Sequence, residues 1–201
     1  MIPDHHNDNH TKLSPARVEA FSDGVMAIII TISVLELKVP TGVTVAVLRP
    51  LLPLFFTYAI SFETIGTYWN NHHHLLQVTK HVSAGIMWAN LHLLFWLSLI
   101  PFATGWLGEN HGGHLPTVLY SAILFFCACA YSLLQWQVIS HAENREELSI
   151  VFHKSKKGLI SLLSYALAVV FGFFTPVVSY ILIILVAILW FIPDRRIEKF
   201  L

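Results

Sequence analysis

Thirty-three consecutive residues, Gly158 to Trp190, carry no charge. A stretch that long belongs in hydrocarbon, where about 20 apolar residues suffice to cross a core of ~30 Å as a helix. Thr175 and Pro176 divide it, so the pattern predicts two helices, about 157–175 and 176–192, near the lower limit for spanning. The rest of the chain repeats the theme. Hydrophobic residues make up 55% of the 201 and charged ones 12%, which points away from a soluble globule and toward an all-α polytopic membrane protein.

Basic and acidic residues balance at 12 each, so no net field argues for nucleic acid or an acidic substrate. Cys127 and Cys129 are one residue apart. That spacing is poor for a mutual disulfide and is not the redox or zinc spacing, so they read as small lipid- or core-facing residues. MIPDHHNDNH at the start is polar and lacks a basic region followed by an apolar one. No cleavable signal peptide is expected, and the first crossing should direct its own insertion.

In order, residues 1–13 are expected to form a disordered tail, and residues 14–192 a domain of six transmembrane helices. Ser14 with Pro15 offers a helix start. The helices are expected at about 15–38, 51–71, 82–107, 115–139, 157–175 and 176–192, followed by a basic tail at 193–201. NHHHLLQVTKH, from Asn71, reads as a short polar connector, Pro101 should kink the third helix, and GENHGGH, from Gly108, reads as a turn. Placing the N-terminus in the cytoplasm assigns Lys12, Arg17, Lys80, Arg145, Lys154, Lys156, Lys157, Arg195, Arg196 and Lys199 to the inner side. Only Lys38 and Arg49 fall outside. That asymmetry predicts cytoplasmic termini in a cell inner (plasma) membrane.

The first helix is the richest stretch. RVEAFSDGVMAIIITISVLEL, Arg17 to Leu37, has a polar entry and then no charge from Gly24 to Leu35. Ile28, Thr31, Ile32 and Leu35 follow the i, i+3, i+4, i+7 rule and share a face. Ionisable groups at bilayer depth usually mark function or a satisfied pair. For Glu63 and His92, a hydrogen-bonded interhelical pair is the ordinary reading. His72, His73 and His74 invite a metal, but adjacent helical positions point about 100° apart and do not converge on one ion. One or two of these rings should instead cap or pair with the cytoplasmic end of the first helix. No TVGYG filter, phosphate loop, GxSxG elbow or HExxH pair occurs, so catalysis has no visible apparatus and an enzyme is not expected.

Arg17 and Phe21-Ser22-Asp23, with Ala27, Thr31 and a closing Leu37-Lys38-Val39-Pro40, resemble the RxxxFSD helix of the transmembrane protein 175 family of potassium-permeable channels. The likeness extends to Trp69-Asn70-Asn71-His72-His73, Asn90, Pro101-Phe102, and Trp190-Phe191-Ile192-Pro193-Asp194-Arg195-Arg196. It spans nearly the whole chain. The resemblance implies a single-unit protomer that assembles as a homotetramer, with four copies of the first helix lining a central pore. Ile28, five positions after Asp23, would form the narrowest ring. Thr31 and Leu35 would occupy the next levels, with Ile32 contributing according to helix rotation. The implied cargo is potassium, passing near Thr31, with no cofactor and no protein-bound metal. Arg17, Phe21, Ser22, Asp23, Trp69, His72, His73 and Asn90 would form a structural network.

Rivals from other classes are a secondary transporter or channel for divalent metal, or a proton pathway, using Glu63 and His92. A structural scaffold is a further one. A metal carrier needs convergent Asp/His ligands near the midplane.

Overall fold

The computed structural model describes residues 14–110, 112–142, 145–146 and 156–191. The expected terminal tails at 1–13 and 193–201, and most of the expected connector before Lys156, lie outside the described residues. All regular structure among these residues is helical: α1 (Pro15–Leu35), a 3-10 turn (Val45–Leu51), α2 (Leu52–Gln77), α3 (Ala84–Ser98), α4 (Ile100–Glu109), α5 (His114–His141), α6 (Lys157–Gly172) and α7 (Pro176–Phe191).

Among the described residues, four spans are long and apolar enough to cross a membrane: Pro15–Leu35, Val45–Gln77, Ala84–Glu109 and His114–His141. The helices α6 and α7 are apolar and shorter, at 16 residues each. This is the fold of a multi-pass membrane protein.

The structure differs from the expected boundaries in instructive ways. α1 stops at Leu35, short of 38, and α2 does not end near 71 but runs through the histidine triplet to Gln77. The polar connector expected from Asn71 is therefore mostly helix. Asn71, His72, His73 and Gln77 find partners on other elements or on a neighbouring turn, so polarity there marks contacts rather than a chain break. The third crossing is divided at Leu99 into α3 and α4. Pro101, at the start of α4, has no N–H to continue the α3 ladder. The helices α5, α6 and α7 begin at His114, Lys157 and Pro176 and end at His141, Gly172 and Phe191.

Packing sorts the helices into two groups. The first helix lies on α2, α3 and α4, while α5 packs against α3, α4 and the α6–α7 hairpin. Inside a bilayer, apolar burial does not drive helices together, so close backbone approach and interhelical hydrogen bonds matter more. Both are present. A Cβ on Gly108 of α4 would sit 2.6 Å from the Leu54 Cα of α2, so only glycine permits that approach. Ser61 Oγ lies 2.7 Å from Thr104 Oγ1 and 2.8 Å from the Tyr120 hydroxyl, tying α2, α4 and α5 through one buried cluster. Thr104 donates to the Ile100 carbonyl, so Ser61 donates to Thr104 and Tyr120 to Ser61. The apolar core beside it includes Met26, Ile65, Leu93, Leu97, Leu124 and Leu134, all fully buried.

Candidate functional site: the two faces of the first helix

One face of α1 is buried: Val18, Ser22, Met26, Ile29 and Ser33 descend at helical spacing into α2, α3 and α4. On the other side the chain leaves Arg17, Phe21, Ile28, Thr31 and Leu35 exposed, Ile28 at 58% and Leu35 at 76%. Ile32, at 45%, is exposed as well, and with Ile28 it lines a groove whose walls include Val25, Ser98, Pro101 and Phe102. Thr31 Oγ1 donates to the carbonyls of Ala27 (3.1 Å) and Ile28 (3.0 Å). Its hydrogen is thus used on its own helix, and what the side chain presents outward is oxygen lone pairs.

The entry half of α1 is fastened by side-chain hydrogen bonds. Ser22 Oγ donates to the Val18 carbonyl (2.8 Å) and accepts from Asn90 Nδ2 of α3 (2.9 Å). Asn90 Oδ1 then accepts from His72 Nε2 of α2 at 2.7 Å, because a carbonyl oxygen only accepts. His72 therefore carries its proton on Nε2, and its Nδ1 is buried without a partner among the described residues. The neighbouring ring is the opposite tautomer. Gln77 Nε2 donates to His73 Nε2 (2.8 Å), so His73 Nδ1 carries the hydrogen and donates to Glu19 of α1. Nearer solvent, Trp69 Nε1 donates to Asp23 Oδ1 at 3.0 Å.

The structure thus brings Ser22, His72 and Asn90 into one buried chain, joins Asp23 to Trp69, and joins His73 to Glu19. It does not bring in Arg17 or Phe21. Both are exposed, and among the described residues the Arg17 guanidinium has no partner. Glu19 and Gln77 are the members the motif did not supply. Gln77 was detectable as the residue one turn beyond His73, whereas the Glu19 pairing depends on how α1 and α2 are rotated about each other.

The interhelical pair expected of Glu63 and His92 does not form. Thr67 donates to Glu63 (2.9 Å) and Trp96 donates to His92 Nε2 (2.9 Å), each one turn along the same helix. A residue four positions on was close enough to satisfy each group locally. The carrier site that the rival readings need is not assembled from these two residues.

Fold and site together define a class: an all-helical, multi-pass membrane protein whose first helix is locked at one end and bare along one stripe. Comparison with known proteins narrows it. Residues 17–101 match the family model described as "Endosomal/lysosomal potassium channel TMEM175". A Chryseobacterium protein named as a potassium channel is 49% identical over 187 residues, covering 93% of this chain and 97% of that one. The crystal structure of a lysosomal potassium-selective channel TMEM175 homolog from Chamaesiphon minutus superposes with a TM-score of 0.70 at 27% identity, over 88% of this chain and 97% of that one. The human endosomal/lysosomal proton channel TMEM175 is 32% identical over 144 residues, covering 64% of this chain and 29% of the human protein. The chain belongs to the TMEM175 family, a channel family and not an enzyme family.

Proposed function

We infer that this protein is a potassium-permeable channel, and propose that four copies assemble so that the bare stripe of α1 lines a central pore. The observation that carries the proposal is the asymmetry of α1. Its buried stripe is consumed by α2, α3 and α4, while Ile28, Thr31 and Leu35, one turn apart, remain open along the whole outer half. A ring of isoleucines at Ile28 is a constriction that gates by excluding water. α1 is an intact helix, so its carbonyls are internally bonded and cannot replace the ion's water. Dehydration then selects: the cation that sheds water most cheaply passes, which favours potassium over sodium. The lone pairs that Thr31 turns outward supply partial replacement ligands at the next level. The termini lie in the cytoplasm of the inner membrane on this reading, following the lysine and arginine asymmetry.

The test is potassium flux from purified protein in liposomes. Ile28→Asn wets the constriction and raises flux about tenfold while leaving the oligomer intact, because Ile28 makes none of the side-chain hydrogen bonds that lock α1. Unchanged flux with an intact oligomer would place the constriction elsewhere.

A further inference from the structure

The α6–α7 hairpin stands apart from the site on α1, and its charge is confined to one end. Each helix has 16 residues, so it rises about 24 Å against a hydrocarbon core of ~30 Å. A hairpin that short pulls its flanking residues into the headgroup layer. At its foot Lys156 is exposed at the N-cap of α6, and the Lys157 ammonium lies 5.6 Å from the centroid of the Trp190 ring. Trp190 Nε1 donates to Ser161 Oγ at 2.8 Å, which joins the last turn of α7 to the first of α6. That sets an indole where tryptophan favours the membrane–water boundary.

The opposite end of the hairpin carries exposed Phe173 and Phe174 and no charge. Below Lys156 on one helical face run Leu159, Ile160 and Leu163, all exposed. A cation above a continuous apolar track fits a molecule with an anionic head and greasy tails. A nucleic acid or acidic peptide has no use for the track.

We propose that the foot of the α6–α7 hairpin is a binding site for an anionic phospholipid. Lys156 and Lys157 hold the headgroup phosphate, Trp190 wedges beside the glycerol, and an acyl chain lies along Leu159 and Leu163. The proposal concerns the outer flank of the protomer and stands whether or not α1 lines the pore.

The test uses the purified full-length channel in phosphatidylcholine bilayers doped with lipids brominated on the acyl chain, reading tryptophan quenching. Brominated phosphatidylglycerol should quench more than brominated phosphatidylcholine at equal bromine, and this excess should shrink with added salt. Lys156→Gln with Lys157→Gln lowers the preference about tenfold, whereas Lys156→Arg with Lys157→Arg keeps it. Trp190→Phe removes the preferential component of the quenching. Equal quenching by the two lipids overturns the proposal. So does a preference that survives the glutamine substitutions, or one that Trp190→Phe does not touch. Full competition by millimolar glycerol 1-phosphate replaces the lipid site with a free-phosphate site and overturns it too.

Discussion

The two halves of α1 are held by different physics. From Val18 to Asp23, polar side chains reach sideways: Ser22 to Asn90, Glu19 to His73, Asp23 to Trp69. From Ile28 to Leu35 they turn back on their own helix, Thr31 to Ala27 and Ile28, and Ser33 to the Ile29 carbonyl at 2.9 Å. The first half is therefore fixed in rotation by directional bonds. The second rests on shape alone, through Met26 and Ile29, and dispersion contacts change little over a small rotation. On the pore-lining role proposed above, a helix anchored at one end and merely packed at the other suits a constriction that widens by turning its outer half.

The largest effect should come from cutting the anchor. Asn90→Ala takes the Asn90 bond from buried Ser22 Oγ, which keeps only its bond to the Val18 carbonyl, and leaves the His72 Nε2 hydrogen without a partner, on the order of 1–3 kcal/mol each, so about 2–6 kcal/mol in all. Thermal unfolding of the purified protein reads this directly. Ser22→Ala strands only Asn90 Nδ2 and should lose about half as much. A wild-type melt for Asn90→Ala would mean that packing, not hydrogen bonding, holds both halves.

Trp69→Phe probes the same anchor where it meets solvent. The Trp69–Asp23 bond is exposed, and water competes for both partners, so the loss should be about 1 kcal/mol. A loss as large as that of Asn90→Ala would show that burial is not what separates strong from weak members of this network.

These contrasts mark what the sequence could and could not disclose. The division of the 33 uncharged residues into two apolar helices was legible because Pro176 opens the second of them. The break at Leu99 was legible from Pro101. Continuation of α2 through His72, His73 and His74 was not, because a polar run reads as a loop unless its partners are known. Those partners sit on α1 and α3, at sequence separations of 54 and 18 residues. Glu63 and His92 misled in the opposite direction. Depth suggested a long-range pair, yet Thr67 and Trp96 at i+4 were in plain view.

A smaller effect tests the bare half. Thr31→Val removes the outward oxygen while losing only a bond to the helix's own backbone, so melting should hardly move. The potassium-over-sodium permeability ratio should fall roughly threefold, with Thr31→Ser preserving it. Flux measured under bi-ionic gradients decides. An unchanged ratio would leave dehydration at the proposed Ile28 constriction as the whole of any selectivity.

The smallest effect lies beyond the end of α1, where Lys38 pairs with Glu109 at the end of α4. On paper this contact resembles the anchor, a charged hydrogen bond between two elements, but its side chains are 75% and 45% exposed. The hydrogen bond to Glu109, then its charge, holds the Lys38 ammonium above the ordinary lysine range. A raised lysine adds stability fully below the unfolded value of about 10.4 and loses it as pH climbs through the folded value. Lys38→Gln should therefore lower the melting temperature by no more than about 2 °C at pH 8, with the gap closing as pH rises through the raised lysine value. Solvent and salt screen such a pair almost completely, so 0.5 M salt should erase the difference as well. A gap that persists in salt and at high pH would mean the outer end of α1 is anchored after all, and that its freedom to turn must be sought nearer Ile28.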